Sequence, residues 1–385
     1  MRVTEPTRKD RYGIKSERLQ GARVRRMRAQ IKPRINLKDR TPLQNVIPLA
    51  TPFVLFVDPV NACNFRCTFC PTGDPDLIKS TGRWQGRLDF ELYKKVIDDL
   101  SEFDRPLKVL RLYKEGEPLL HARFADMVRY ARESGVVEYI DTTTNGFLLT
   151  QERIGPILEA GIDRINISVD GMSTEQYWKF TKTRVDFDRF VDNIRRLYEQ
   201  KGNCEICVKI PGDILSDEDK RRFFDTFGDI ADRVFIEKVA PCWPAFDVEE
   251  RTGMKITEGI YGNAVQEVSV CPYIFYSMTV NTDGTVSLCF LDWARTLSIG
   301  DVRDQSLRAI WNGEPMCRHR IAHLRGRRKD DPTCAGCGQL SHCLPDNIDS
   351  YAPMLLERLL SLRTNAHLPS ANGVSNVGYP SGLVP

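Results

Sequence analysis

Short apolar runs rich in β-branched residues alternate with amphipathic stretches through the middle of the chain. Residues 89–100 and 186–202 place apolar side chains at helical spacing, and Asp89 and Gly202 suit the start of the first helix and the end of the second. The strand-like runs are residues 53–60, 108–113, 137–143, 164–169, 204–210 and 233–239. Repeated strand–helix units with apolar strands predict a parallel α/β sheet, open or curled toward a barrel.

The chemically distinctive residues follow the ends of the first four predicted strands. They are Cys63, Cys67 and Cys70, then Gly116, Glu117 and Pro118, then Thr144, Asn145 and Gly146, and finally Ser168 and Asp170. In parallel α/β folds the active site lies at the carboxyl ends of the strands. We therefore expect these residues to share one rim of the sheet.

The cysteine loop has an unusual number of thiols. Four thiolates close a zinc or iron–sulfur site, whereas the three in CNFRCTFC leave one position vacant. Taken alone, this loop fits a zinc site completed from elsewhere, and the Gly116 and Asn145 motifs fit ordinary turns. Their placement on one rim favours a common site. Cys204 and Cys207 are different, because strand residues three apart point to opposite faces and do not chelate one metal.

Composition narrows the class of protein. The chain has 385 residues, of which 41% are hydrophobic and 28% charged, as in ordinary globular proteins. No apolar run approaches the roughly 18 residues of a membrane span. No apolar signal-peptide core is present either, so we expect a cytoplasmic protein. In a cytoplasmic protein, twelve cysteines favour metal or redox chemistry over structural disulfides.

Charge is concentrated at the N-terminus. Residues 1–40 hold 14 Lys and Arg against 4 Asp and Glu. We interpret this segment as a solvated, partly disordered basic arm. A phosphate-bearing substrate or an acidic partner is the alternative. Nucleic acid is disfavoured, because no aromatic residues interleave with the charges in a stacking pattern.

The combined motifs resemble the radical S-adenosylmethionine (SAM) superfamily over about residues 50–240. The resemblance implies that Cys63, Cys67 and Cys70 bind three irons of a [4Fe–4S] cluster whose fourth iron is chelated by SAM. It also implies SAM contacts from the backbone of Phe69 and from Glu117, which would accept hydrogen bonds from the SAM ammonium. Further cofactor-binding positions are Gly116, Pro118, Thr144, Asn145, Ser168 and Asp170. The family's second motif usually begins with two glycines, and Glu115 replaces the first of them.

The last third of the chain holds a second cysteine constellation. Its order resembles the SPASM or shorter twitch extension of radical SAM enzymes, which binds auxiliary clusters. A full SPASM domain needs a further cysteine where Asn347 stands. We therefore expect one auxiliary [4Fe–4S] cluster, with a zinc knob as the structural alternative. The expected ligands are Cys271, Cys289, Cys334 and Cys337, with Cys343 as a spare thiol or substitute ligand.

The expected fold is a partial (β/α)6 TIM-like barrel with a small C-terminal cluster-binding domain containing a β-hairpin. Asp283–Gly284 is the expected hairpin turn. The division is a basic arm (1–50), the radical SAM barrel (51–240), the auxiliary-cluster domain (241–350), and a C-terminal helix with a flexible tail (351–385).

The resemblance implies reductive cleavage of SAM to a 5′-deoxyadenosyl radical that abstracts hydrogen from a substrate, with an external flavodoxin-like or ferredoxin-like reductant. Little chain precedes the first strand to form a leader-binding domain, which favours a small molecule such as a sugar or aminocyclitol. Dehydrogenation of an alcohol carbon is preferred. Alternatives are epimerisation with Cys242 as hydrogen donor, and peptide modification. Another class would be a non-catalytic iron–sulfur electron carrier or a zinc-based nucleic-acid binder.

Overall fold

The computed structural model describes residues 27–37, 40–343 and 346–366. The first 26 residues of the predicted basic arm, and the predicted tail beyond residue 366, lie outside the described residues. None of the described helices is long and apolar enough to cross a membrane.

One mixed sheet of ten strands organises the described chain. Its strands are β1 (Gln30–Ile31), β2 (Val54–Val57), β3 (Val109–Leu112), β4 (Ile140–Thr144), β5 (Arg164–Ser168), β6 (Glu205–Pro211), β7 (Arg233–Glu237), β8 (Ser277–Val280), β9 (Thr285–Ser287) and β10 (Ser298–Asp301). The order is β1-β7-β6-β5-β4-β3-β2-β8-β9-β10, parallel from β1 to β8 and antiparallel beyond. The six predicted strands are β2 to β7. Because the outermost strands, β1 and β10, do not pair with each other, the barrel is partial.

Helices connect the strands and form the C-terminal region. They are α1 (Leu43–Val46), α2 (Pro75–Ser80), α3 (Phe90–Asp98), α4 (Phe124–Glu133), α5 (Gln151–Glu159), α6 (Thr174–Thr181), α7 (Phe187–Gln200), α8 (Asp217–Phe227), α9 (Val248–Thr252), α10 (Tyr273–Tyr276), α11 (Leu307–Asn312), α12 (Glu314–Leu324), α13 (Pro332–Ala335), α14 (Gln339–His342) and α15 (Ala352–Ala366).

The two helices predicted from periodicity form as α3 and α7. The Asp89 carboxylate accepts a hydrogen bond from the Leu92 amide at 2.9 Å and so caps α3. On α7, the inward face buries Phe190, Ile194 and Leu197 against the sheet. Each crossover helix therefore covers the sheet with one apolar stripe, which leaves the strand ends free to carry polar side chains.

The C-terminal hairpin continues the barrel sheet and does not form a separate one. Strand β8 runs parallel to β2, with Val57 beside Val280. The predicted turn is present, since Gly284 has a φ of +88°, a conformation that glycine adopts without strain. The hairpin is thereby fixed beside the strand that precedes the cysteine loop.

The prediction of a partly disordered arm is wrong for residues 27–37, which are ordered although several of their side chains are exposed. Gln30 and Ile31 pair with Arg233 and Val234 of β7, which would otherwise present an unpaired edge. Farther on, the guanidinium of Arg34 enters the barrel and donates to the Tyr113 hydroxyl at 2.6 Å. Strand pairing and burial, which charge counting does not detect, order this part of the chain.

Large apolar side chains fill the space between sheet and helices. Trp311 is fully buried, and its indole N–H donates to the Leu49 carbonyl at 2.9 Å. Cys204 and Cys207 are each 4% exposed, as expected for packing residues. Phe223 and Phe227 of α8 are also fully buried, with ring centroids 5.4 Å apart.

We expect Phe223→Ala to lower the free energy of unfolding by about 3–5 kcal/mol, because a buried ring is replaced by a cavity. Urea denaturation of protein preparations with equal iron content measures this change. The control is Trp178→Ala, whose side chain is 51% exposed, and which should cost less than about 1 kcal/mol. Equal losses in the two variants would show that α8 does not anchor the barrel.

Candidate active site and cluster-binding cysteines

The structure brings the predicted rim residues together at the carboxyl ends of β2 to β5. Two contacts join motifs that are far apart in sequence. The side-chain amide nitrogen of Asn145 lies 3.8 Å from the Cys63 sulfur, and the Cys67 sulfur lies 3.9 Å from the Asp170 carboxylate. The loop after β2 therefore faces the ends of β4 and β5.

Burial and close packing set the chemistry of the three thiols in this loop. Burial raises the pKa of the Cys63 thiol to about 12 and also raises the pKa values of Cys67 and Cys70. Charge on the neighbouring thiols adds to the shift at Cys63 and Cys67. Without a cation these thiols stay protonated, and a bound metal releases their protons.

Backbone groups around the cysteines suit sulfur that carries negative charge. The Phe65 amide lies 3.4 Å from the Cys63 sulfur, and the Thr72 and Gly73 amides lower the pKa of Cys70. The loop is also tightly folded, since a Cβ at Gly73 would lie 2.2 Å from the Cys67 carbonyl oxygen. Amide donors to sulfur are one means by which proteins tune iron–sulfur clusters. The donor set fits such a group.

No three His, Cys, Asp or Glu side chains in the described ranges converge in a geometry suited to a single metal ion. A zinc site requires such convergence, because all of its ligands bind one ion. In a [4Fe–4S] cluster each thiolate binds a different iron.

The replacement of glycine by Glu115 leaves the essential close contact intact. A Cβ at Gly116 would lie 2.2 Å from the carbonyl oxygens of both Val60 and Ala62, so glycine is required there. Glu115 turns away into buried ion pairs with Arg83 and Lys114. The departure from the family pattern thus changes a neighbouring charge and keeps the backbone approach.

Glu117 joins two of the predicted motifs through its carboxylate. This side chain is buried, and it accepts hydrogen bonds from the Leu119 amide at 3.0 Å, the Thr144 hydroxyl at 2.7 Å and the Asn145 amide at 2.8 Å. Burial raises its pKa, and these three bonds oppose that shift. A carboxylate has about four acceptor positions, so one remains on Oε2.

The other predicted rim residues take less direct positions. Half-buried Phe69 packs with the apolar cluster around Phe246. Pro118 begins a short 3-10 turn, and Ser168 lies beside Lys209 in the sheet register. Asp170 is buried, and burial raises its pKa to about 7.

A second group of thiols lines a largely apolar cavity in the C-terminal region. The four cysteines there are Cys271, Cys289, Cys334 and Cys337, and His323 and Arg328 also line the cavity. Burial raises the pKa of Cys271 to about 12, and the neighbouring Cys337 and Cys334 thiols add to the shift. The Leu291 amide lies 3.4 Å from the Cys289 sulfur. This donor set also fits an iron–sulfur cluster.

Cys343 and Cys242 are placed differently. Cys343 is buried but is not among the residues that line the four-cysteine cavity. The Cys337 sulfur donates to the Cys242 carbonyl at 3.7 Å, and both Cys337 and Cys70 contribute to the raised pKa of Cys242, which burial sets at about 12. Cys242 therefore carries a neutral S–H group between the two cysteine sites.

Sequence reasoning missed a buried charge network between the rim and the hairpin. Asp58, directly after β2, is fully buried, and neither of its carboxylate oxygens has a hydrogen-bond partner among the described residues. Burial raises its pKa to about 6, and Lys114, Arg295 and Arg83 oppose the shift. Lys114 donates to the Asn281 side chain at 2.7 Å. The one signal available was an aspartate ending an apolar run.

Comparison with known families gives one match that contains the three-cysteine loop and another that contains the four-cysteine cavity. Residues 57–225 match the Radical SAM superfamily. Residues 271–338 match the SPASM iron–sulfur cluster-binding domain. The first range contains the three-cysteine loop, and the second contains all four cysteines of the cavity.

Curated relatives match this chain to different extents. The chain is 34% identical over 125 residues to a tungsten-containing aldehyde ferredoxin oxidoreductase cofactor-modifying protein of Pyrococcus furiosus, a match that spans only 32% of each chain. It is 24% identical over 323 residues to an AdoMet-dependent heme synthase of Methanosarcina barkeri, covering 71% of this chain and 88% of the relative. The chain thus spans about a third of one relative and most of the other.

Solved structures share the fold. BtrN in complex with AdoMet and 2-DOIA has a TM-score of 0.50 at 19% identity, covering 75% of this chain and 94% of BtrN. Streptococcus suis SuiB bound to precursor peptide SuiA has a TM-score of 0.51 at 12% identity, covering 78% and 73%. The family matches therefore show that the chain carries a radical SAM domain, which implies SAM and a [4Fe–4S] cluster, and a SPASM domain, which implies auxiliary iron–sulfur chemistry.

Proposed function

We propose that this enzyme dehydrogenates an alcohol carbon of a polar small molecule, such as a sugar or aminocyclitol. The observation that carries the proposal is the second cysteine site. Four thiols line that cavity, so a cluster held there has a complete set of protein ligands. A fully ligated cluster has no open position for substrate, and it suits the acceptance of an electron.

The first site has the complementary property. Cys63, Cys67 and Cys70 would hold three irons, and the remaining acceptor position of Glu117 is suited to the SAM ammonium. When bound, the cluster and SAM supply the one-electron cleavage that produces a hydrogen-abstracting radical. The chain's own task is to orient the substrate hydrogen and to exclude water.

Dehydrogenation of an alcohol also requires a base and an electron acceptor. Once a hydrogen atom has left the carbon, the hydroxyl proton and one more electron must leave to give the carbonyl. Asp58 is suited to take the proton, directly or through water, because its oxygens have no partner among the described residues. Its raised pKa, about 6, is close enough to neutrality for proton exchange. A cluster held by the four cysteines of the second cavity would accept the electron.

The barrel interior supports a polar substrate. Arg34 and Tyr113 form one half-buried polar pair there, and Lys209 pairs with Glu237 on the neighbouring strands β6 and β7. Such groups suit hydroxyl, amino or acidic substituents. The structural neighbour BtrN, whose structure is a complex with AdoMet and 2-DOIA, agrees with this preference.

Epimerisation is the second candidate, and the position of Cys242 favours it. A neutral, half-buried thiol between the two cysteine sites can return a hydrogen atom to a substrate carbon. Peptide modification is a further alternative, supported by the shared fold of SuiB. A non-catalytic electron carrier or a zinc-based nucleic-acid binder would lack SAM cleavage altogether.

Removing one cysteine site should leave the other loaded. We expect Cys63, Cys67 and Cys70 changed together to Ala to remove about four irons per chain and to abolish release of 5′-deoxyadenosine from SAM under reduction. Iron and sulfide analysis with Mössbauer spectroscopy measures the loss. Changing Cys204 and Cys207 to Ala, as a control, should alter neither quantity. Zinc in both sites, or unchanged iron in the triple variant, would refute the enzyme assignment.

Glu117→Gln should weaken SAM binding without loss of iron. The substitution replaces a charge-assisted hydrogen bond worth about 1.5–3 kcal/mol with a neutral one. Equilibrium dialysis of reconstituted enzyme with labelled SAM measures the affinity. Glu152→Gln, at an exposed position of α5, is the matched control and should bind SAM normally. Unaltered affinity in Glu117→Gln would remove Glu117 from the SAM site.

Product mass in deuterated water separates dehydrogenation from epimerisation. We expect a carbonyl product that has lost two hydrogens, because a proton and a hydrogen atom both leave the substrate. Mass spectrometry of single turnovers, with wild type and Cys242→Ala, measures it. An isomeric product that gains one deuterium, and that disappears in Cys242→Ala, would replace dehydrogenation by epimerisation.

A further inference from the structure

A basic, aromatic surface lies at the end of α6. We define the α6 patch as Trp178, Lys179, Lys182 and Arg184, with Arg66 beside it, and all five side chains are exposed. Trp178 is 51% exposed, which is unusual for so large an apolar side chain. The Arg184 guanidinium lies 5.7 Å from the centre of the Trp178 ring.

The patch is the outer wall of the cysteine loop. The Arg66 amide donates to the Thr181 carbonyl at 2.8 Å, and the Thr68 amide donates to the Phe180 carbonyl at 2.9 Å. A third bond runs from the Thr183 hydroxyl to the Asn64 carbonyl at 3.3 Å. These bonds place the α6 patch directly outside the loop that carries Cys63, Cys67 and Cys70.

The charges of the patch are not neutralised locally. Within the described residues, none of its cations forms an ion pair with a carboxylate; Lys182 instead donates to the Lys179 carbonyl at 3.0 Å. The nearest carboxylates along the chain are Glu175, in the first turn of α6, and Asp186, which caps α7. Unpaired cations around an exposed tryptophan are typical of a surface that binds an acidic partner.

The first cluster needs one electron from outside the protein for each SAM cleavage. Electron transfer between proteins slows steeply with distance, so a donor must approach the cysteine loop closely. We propose that the α6 patch docks the physiological reductant, an acidic one-electron carrier of the flavodoxin or ferredoxin class. The carrier loses one electron there and the cluster gains it. This proposal rests on the superfamily assignment and not on the nature of the substrate reaction.

The test reverses the charge of the patch without touching the cysteine loop. The variant carries Lys179→Glu, Lys182→Glu and Arg184→Glu. The matched control carries Arg196→Glu, Arg221→Glu and Lys329→Glu, three exposed positions elsewhere. Release of 5′-deoxyadenosine from SAM is measured with an acidic bacterial flavodoxin, kept reduced, and separately with dithionite. Binding of the same flavodoxin to protein without clusters is measured by biolayer interferometry.

We expect the patch variant to lose about tenfold or more in both flavodoxin affinity and flavodoxin-driven rate at low salt. Its iron content and dithionite-driven rate should match those of the control. High salt should remove the difference in affinity, because exposed charges are then screened. Trp178→Ala alone should weaken flavodoxin binding at both salt concentrations.

Three results would overturn the proposal. The first is an equal flavodoxin-driven rate in the patch and control variants. The second is an equal loss with dithionite, which would assign the patch a role in holding the loop. The third is patch-dependent binding of duplex DNA without patch-dependent binding of flavodoxin. By contrast, wild-type protein that releases no 5′-deoxyadenosine with either reductant would refute the proposed function itself.

Discussion

The close approach of the β3 loop to the β2 loop is the contact on which the active site depends. At Gly116 there is no room for a Cβ beside the Val60 and Ala62 carbonyls, and the Glu117 amide donates to the Ala62 carbonyl at 3.0 Å. One residue later in the chain from this glycine, the Glu117 carboxylate binds the end of β4. A single tight crossing therefore fixes the cysteine loop and the candidate SAM contacts in one frame.

The same sheet also carries the second cysteine site, and this continuity limits how the two sites can move. Strand β2 pairs with β3 on one side and β8 on the other. Lys114 binds Glu115 on the rim, and Asn281 and the Asp292 carbonyl in the hairpin region. Buried charges that hold each other in this way are costly to separate. We infer that the network keeps the hairpin in register with the rim, while the two carboxylate oxygens of Asp58 find no hydrogen-bond partner in the part of the chain that the structure describes.

Short sequence patterns predicted the features that depend on residues close together in the chain. Strand runs, the Asp89 cap, the Asp283–Gly284 turn and the spacing of the cysteines all depend on neighbours in sequence. The Arg34 contact and the Asp58 network depend instead on the pairing of β1 with β7 and of β8 with β2. Those pairings join residues about two hundred positions apart, and no periodicity signals them. The sequence could not predict that Cys343 lies outside the cavity lining, because its position depends on how α14 packs in three dimensions.

Thiol burial couples cluster binding to folding. At both sites the cysteines are buried enough that, without metal, the neutral thiol is favoured. Cluster binding must therefore release protons from both sites, and the binding free energy contributes to folding. Glu117 and Asp170 add negative charge around the first site, which further disfavours bare thiolates there. The second site has Arg328 in its wall, which favours negative charge. Asp331 and Asp292 act in the opposite sense at Cys334, so the charges around the second site are mixed, whereas the carboxylates around the first site all disfavour thiolate.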